Sequence, residues 1–209
     1  MSTPRFSKLD ISLRYYLHGA GYFTALKAYH YAKRHHSGFR KDKVTPEFQH
    51  QIEIALYITT LKNVVQEELA IIYAILHDVI EDTPEITFKQ FRQEWGDEIA
   101  NDIWAISKKV EGKRNYTNDN LSDYYARIAA RPLLALVKGC DRIHNLQTMV
   151  GVFNGEKQQK YVAEAENDFL PMLKEAANAD PELHLAFMNV RTMIKNQVAL
   201  VKAALQIEG

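Results

Sequence analysis

Residues 69 to 76 of this chain, LAIIYAIL, are apolar on every side, and the next turn and a half carries His77, Asp78, Glu81 and Asp82. A helix that is hydrophobic around its whole circumference has to be enclosed by other elements. The run therefore demands a fold in which one helix lies buried among several. Carboxylates at the end of such a helix are very costly unless they are paired, hydrogen-bonded or bound to a cation.

The remaining periodicity is helical nearly throughout, with few alternating stretches and only nine glycines. This predicts an all-α fold, a single multi-helix domain over residues 1–209 with a metal site between its helices. Helices are expected at about 22–36, 45–61 (Thr45 as N-cap and Pro46 at the first position), 66–80, 87–95 and 97–108. Thr87 and Gln90 suggest a capping box, and Gly96 a stop. Residues 111–120, EGKRNYTNDN, read as a loop. Further helices follow at about 121–130, 133–150, 156–177 with a break at Pro171, and from Asp180-Pro181 to 206.

Lys plus Arg number 26 and so do Asp plus Glu, so no global charge draws the chain to nucleic acid or an anionic membrane. The one cysteine, Cys140, excludes an internal disulfide framework and reads as a small buried thiol in a reducing compartment. The amino end lacks a secretory h-region, and no apolar run approaches the ~20 residues of a membrane-spanning helix. A soluble, cytoplasmic protein is expected.

On a continuous helix, His77 and Glu81 fall almost in line, as do Asp78 and Asp82, all four within a sector of roughly 140°. They could face a common space or simply emerge into water. A second apolar helix, in LLALVKGCDRIHNLQTM (133–149), carries Asp141, His144, Asn145 and Thr148 on one stripe. His50 sits one turn inside a third helix, where a histidine taken singly is ordinary. Together His50, His77, Asp78 and Asp141 make two imidazoles and two carboxylates, a set suited to manganese, iron or zinc with positions left for water and a phosphate oxygen. Lys33, Arg34, Arg40, Lys41 and Lys43 could supply positive charge to an anionic substrate, while His35 and His36 read as surface residues.

The pattern H…HD…D resembles the ligand set of the HD phosphohydrolase superfamily. ILHDVIEDT, WAISKKV and LVKGCDRIHNLQTM, with YAKRHHSGFRK and His50 upstream, resemble the hydrolase domain of the RelA/SpoT family over roughly residues 22–150. The resemblance implies an HD-domain helical bundle, completed here by helices over 156–206. Its implied activity is removal of pyrophosphate from the 3′-diphosphate of guanosine tetraphosphate or pentaphosphate. It further implies that His50, His77, Asp78 and Asp141 bind Mn2+ and that Glu81 and Asp82 handle the attacking water. Arg40 and Lys41 would line the pocket near base and phosphates, and Asn145 and Thr148 would hold the ribose and phosphate region.

This chain departs from the family at DKVTPEFQHQ, where a Ser-Gly-x-Pro-Tyr-like segment and His-Pro are usual: Asp42 lies near the serine position and Gln51 follows His50. Gln147 stands where relatives usually carry arginine. Ending at Gly209, the chain resembles the stand-alone small alarmone hydrolases. The alternatives are another HD nucleotide phosphohydrolase, such as a 5′-deoxynucleotidase or a hydrolase of the adenosine alarmone analogue, and a nucleotide-binding sensor without turnover. A nucleic-acid binder is disfavoured by the short basic loop and the absence of a recognised module.

Overall fold

Thr3 and Pro4 start the first helix. The Thr3 hydroxyl accepts the Phe6 amide at 3.1 Å, Pro4 occupies the first turn, and α1 (Pro4–Ala20) ends at Gly21, whose φ of +74° suits a residue without a side chain. The spacing predicts the first helix only from about 22, so α1 is an addition. The cues at both ends of α1 are present in the sequence, Leu13 and Leu17 are buried, and polar contacts add to its anchoring. Asp10 accepts hydrogen bonds from the Tyr29 hydroxyl and, at 2.6 Å, from Lys33 Nζ. Lys33 is thereby paired with Asp10 of α1.

A computed structural model describes residues 3–115 and 121–207. These divide into two compact units, one within 1–60 and 66–124, the other within 61–65 and 125–209. No helix among the described residues is long and apolar enough to cross a membrane.

In the first unit α1 is followed by α2 (Phe23–His35), α3 (Gln49–Ile58), α4 (Glu67–Leu76), α5 (Val79–Asp82) and α6 (Phe88–Ile106). Helix α4 is the enclosed element that its composition required: residues 70 to 76 are all buried, and it packs against α2, α3 and α6. Its amino end holds α2 as well, because Glu68 accepts the Thr24 and Ala25 amides at 2.9 and 3.1 Å. Tyr73, midway along α4, donates to Asp102 of α6.

Two expectations fail here for local reasons. Helix α3 begins at Gln49 rather than Pro46, because Thr45 is not a cap: Asp42 Oδ1 accepts the Val44 and Thr45 amides at 2.9 and 2.8 Å, and Asp42 Oδ2 accepts the Thr45 hydroxyl. Asp42 thus closes a loop that also pairs Phe39 with Pro46. The helix expected over 66–80 stops at Leu76, and α5 resumes after Asp78, which sits at φ −102° and ψ −5°.

Other local readings stand. The Thr87–Gln90 capping box is formed, and Gly96 interrupts α6 with φ +78° and ψ 173°. Of the loop expected over 111–120, residues 116–120 lie outside the described residues. Its start is a tight hairpin, β1 (Lys109–Val110) paired with β2 (Lys113–Arg114) through Glu111 and Gly112, both at positive φ.

Helix α7 (Leu121–Ala129) begins in the first unit and runs into the second, where α8 (Pro132–Thr148), α9 (Gly155–Glu164), α10 (Leu170–Ala179) and α11 (His184–Ile207) follow. Helices α9 and α10 are joined by one wide π turn over Ala165–Phe169, where the Leu170 amide reaches the Ala165 carbonyl. The extra residue relieves Pro171, which has no N–H to give and whose ring crowds the preceding turn. Asp180 caps a short 3-10 turn that opens α11.

Helix α8 packs on α10 and α11, and Gly139 allows the approach: a Cβ there would lie 2.6 Å from Val190 Cγ1 and 3.0 Å from Leu173 Cδ2. Cys140 is buried, its thiol pushed far up by burial and then by Asp141. Beside it Arg142, 4 % exposed, bonds Glu164 at 2.7 Å and lies 4.0 Å over the Phe169 ring.

Candidate metal centre

His77 and Asp78 occupy the break between α4 and α5, at the partly negative end of a buried helix, a setting that favours a cation. The His77 ring is 1 % exposed and its Nδ1 lies 2.8 Å from the Ala74 carbonyl. A carbonyl can only accept, so Nδ1 carries the proton and Nε2 presents its lone pair. That lone pair is 2.9 Å from Asp78 Oδ2, and His50 Nε2 is 3.8 Å from the same oxygen. The two imidazoles meet edge to face with centroids 5.3 Å apart.

A lone pair held against a carboxylate oxygen needs a proton or a cation between them. The ligand atoms of His50, His77 and Asp78 all lie within 4.8 Å of one another, as expected for donors sharing one ion at about 2.0–2.2 Å each. Two imidazole nitrogens and a carboxylate fit a divalent transition metal better than calcium, which takes oxygen ligands. The Ala74 carbonyl behind His77 is the outer partner that fixes a metal-binding ring. These three residues fit a divalent cation.

Glu81 and Asp82, adjacent in α5, turn to different partners. Glu81 Oε2 accepts the Lys108 amide at 2.7 Å, which ties α5 to the end of α6. Asp82 instead joins His36 and Glu47 in a second group whose ligand atoms lie within 4.8 Å of one another. Desolvation of its carboxyl, then the charges of Asp78, Glu47 and Glu81, lift Asp82 to about 7, although the residue as a whole is exposed. Glu47 is also raised, by burial first and by Asp78, against a backbone hydrogen bond from Gly38 and the Arg40 charge.

His36 corrects the surface reading: it is 4 % exposed, and its ring stacks at 12° on Phe48 with centroids 6.4 Å apart. Burial pushes its pKa down to about 4, with Asp78 opposing and His77 and His35 adding to the fall. The missed signal was phase. His36 continues the buried stripe Ala25, Ala28, Tyr29, Ala32 at helical spacing.

Arg40 is half-buried and Lys41 exposed, both in the loop that Asp42 closes. In the second unit Asp141, Asn145 and Thr148 share a face of α8 as expected. Asp141 is 6 % exposed; its Oδ2 is 3.0 Å from Lys138 Nζ and its Oδ1 accepts the Asn145 amide at 2.6 Å. The Thr148 hydroxyl donates to the His144 carbonyl at 2.9 Å, and Gln147 is exposed.

A family model described as HD domain matches residues 28–174. The chain belongs to the HD domain family. It is 29% identical over 149 residues to a guanosine-3′,5′-bis(diphosphate) 3′-pyrophosphohydrolase of Aquifex aeolicus, covering 70% of this chain and 20% of that one. It is 30% identical over 150 residues to GTP pyrophosphokinase rsh of Brucella ovis, covering 70% and 19%. The bifunctional (p)ppGpp synthase/hydrolase SpoT of Escherichia coli is 24% identical over 180 residues, with 84% and 25% covered. The chain thus spans about a fifth to a quarter of the length of these relatives. The HD-family fold is shared with a solved structure of a metazoan ortholog of SpoT that hydrolyzes ppGpp, at TM-score 0.59 and 18% identity, covering 79% of this chain and 92% of that one.

Proposed function

We propose that this HD-family chain is a metal-dependent hydrolase that removes pyrophosphate from the 3′-diphosphate of guanosine tetraphosphate or pentaphosphate, releasing GDP or GTP. The observation that carries the reading is the His77 lone pair at 2.9 Å from the Asp78 carboxylate with His50 alongside, in a chain whose aligned relatives include a guanosine-3′,5′-bis(diphosphate) 3′-pyrophosphohydrolase. His50, His77 and Asp78 hold a divalent cation, for which we propose Mn2+. By its place in the DRxHNxxT motif, Asp141 is the fourth ligand. Bound there, the ion supplies Lewis acidity toward water and a phosphate oxygen.

The chain's own residues do the rest. Asp82 takes the proton of the attacking water. Glu81, anchored to the Lys108 amide, positions that water. Arg40 and Lys41 meet the substrate's negative charge, and Asn145 and Thr148 contact its ribose and phosphates. The substrate is a free nucleotide rather than a nucleic acid, and the proposed setting is the cytoplasm.

Asp42 and Glu47 alter the loop beside the site, which favours testing the adenosine analogue as a second substrate. Purified protein with Mn2+ and guanosine tetraphosphate is expected to release GDP and pyrophosphate. Release only from the adenosine analogue would change the base, release of orthophosphate from a deoxynucleoside monophosphate would change the reaction, and nucleotide binding without any product would make the chain a sensor.

A further inference from the structure

We infer that His36, Glu47 and Asp82 form a second divalent-cation site in the first unit, beside the His50–His77–Asp78 group. Their ligand atoms lie within 4.8 Å of one another. The decisive residue is His36. Its side chain is wholly enclosed, and neither ring nitrogen has a hydrogen-bond partner among the described residues. A neutral imidazole offers one donor and one acceptor, and leaving both unanswered in the interior is what native structures avoid. The carboxylate nearest in the ion-pair geometry, Glu47 Oε2, is 4.0 Å from His36 Nδ1. That is too long for a hydrogen bond and suits two ligands on opposite sides of an ion at about 2.1 Å from each.

The site is held from several directions. Phe48 stacks on the His36 ring. The Glu47 amide donates to the Gly38 carbonyl at 3.0 Å, and the Phe39–Pro46 pairing fixes the strand-like stretch that presents Glu47. Gly38 leaves the Glu47 carboxylate its place, since a Cβ there would come within 3.2 Å of Oε2. Asp82 enters from α5, whose turn is set by its amide bonding the Asp78 carbonyl at 2.8 Å. Asp78 and His77 are near enough to act electrostatically on His36, so the two groups adjoin.

One imidazole and two carboxylates take a borderline-hard divalent ion such as Mn2+ more weakly than the two-imidazole group. The ligand geometry stands without the hydrolase reading. Its consequence rests on that reading: a second ion held by these residues would add positive charge beside the first group, available to an anionic substrate.

The test is Mn2+ binding to the metal-free full-length chain, read by calorimetry and by the electron-paramagnetic signal of free Mn2+, with no nucleotide present. Two classes of site are expected. Glu47→Gln and His36→Gln should each weaken the looser class at least tenfold and leave the tighter class within about twofold. A single class, or two classes indifferent to both substitutions, overturns the inference; should His36→Gln not fold, Glu47→Gln decides alone. Hydrolysis by a chain holding one Mn2+ would sink this site and keep the proposed function, and two Mn2+ without hydrolysis would do the reverse.

Discussion

The carboxyl end of α4, followed by His77 and Asp78, and the middle of α8, with Asp141 and His144, each set an aspartate and a histidine beside buried apolar turns, yet they answer the buried charge differently. On α8 the helix is regular, so residues three and four apart are neighbours, and Asp141 is met by Lys138 and Asn145 of its own helix. At the end of α4 the helix breaks, the Ala74 carbonyl takes the His77 proton, and Asp78 is faced by the nitrogens of two imidazoles. The same residue types thus yield a carboxylate met by neighbours on its own helix in one place and a carboxylate faced by two imidazoles in the other. Backbone continuity decides which.

The largest test of this contrast is removal of the carboxylate at the break. Asp78→Ala should lose the tighter Mn2+ and lower hydrolysis by at least about 10³-fold, since polarisation by a metal is worth several kcal/mol in the transition state. Elemental analysis and a product assay check it together. Full turnover with bound metal would erase the distinction between the helices.

Next in size, Lys138→Met should destabilise the metal-free chain by about 3 kcal/mol, because it strands a buried carboxylate whose partner was also buried. Chemical denaturation measures this. Recovery of that stability on adding Mn2+, larger than in the unsubstituted chain, would support Asp141 as a ligand.

The smallest effect is one of pH. In the metal-free chain Asp82 stays protonated up to about 7, so between its ordinary value near 4 and about 7 the folded state holds a proton that the unfolded state has lost, and stability falls as pH rises. His36, lowered to about 4, lacks over about 4 to 6.5 a proton that the unfolded state holds, so its contribution rises with pH. The two oppose each other. Asp82→Asn should make the melting temperature climb with pH over that window, and His36→Gln should make it drop; equal slopes in the two variants would contradict the assignment.

Much of the first unit was legible from the residues. The enclosed helix followed from LAIIYAIL, the capping box from Thr87 and Gln90, and the kink from Gly96, because each signal is local and has one dominant physical outcome. The adjacency of His50, His77 and Asp78 was legible because imidazole and carboxylate beside a buried helix have few cheap resolutions. What escaped depended on competition. Asp42 outbid Thr45's role as a cap, and the helix expected over 66–80 broke at His77, which no propensity at that position foretold. His36 was obscured by its charged neighbours in KRHH, although its phase placed it on the buried stripe, and Glu47 stood alone in sequence until the loop brought it to His36.

The most direct measurement is a crystal structure of the Mn2+-loaded chain with data collected on both sides of the manganese absorption edge. An anomalous peak about 2.0–2.2 Å from His50 Nε2, His77 Nε2 and an Asp78 oxygen is the predicted result. A fully loaded crystal with no peak between those three side chains, or with manganese only elsewhere, would contradict the account.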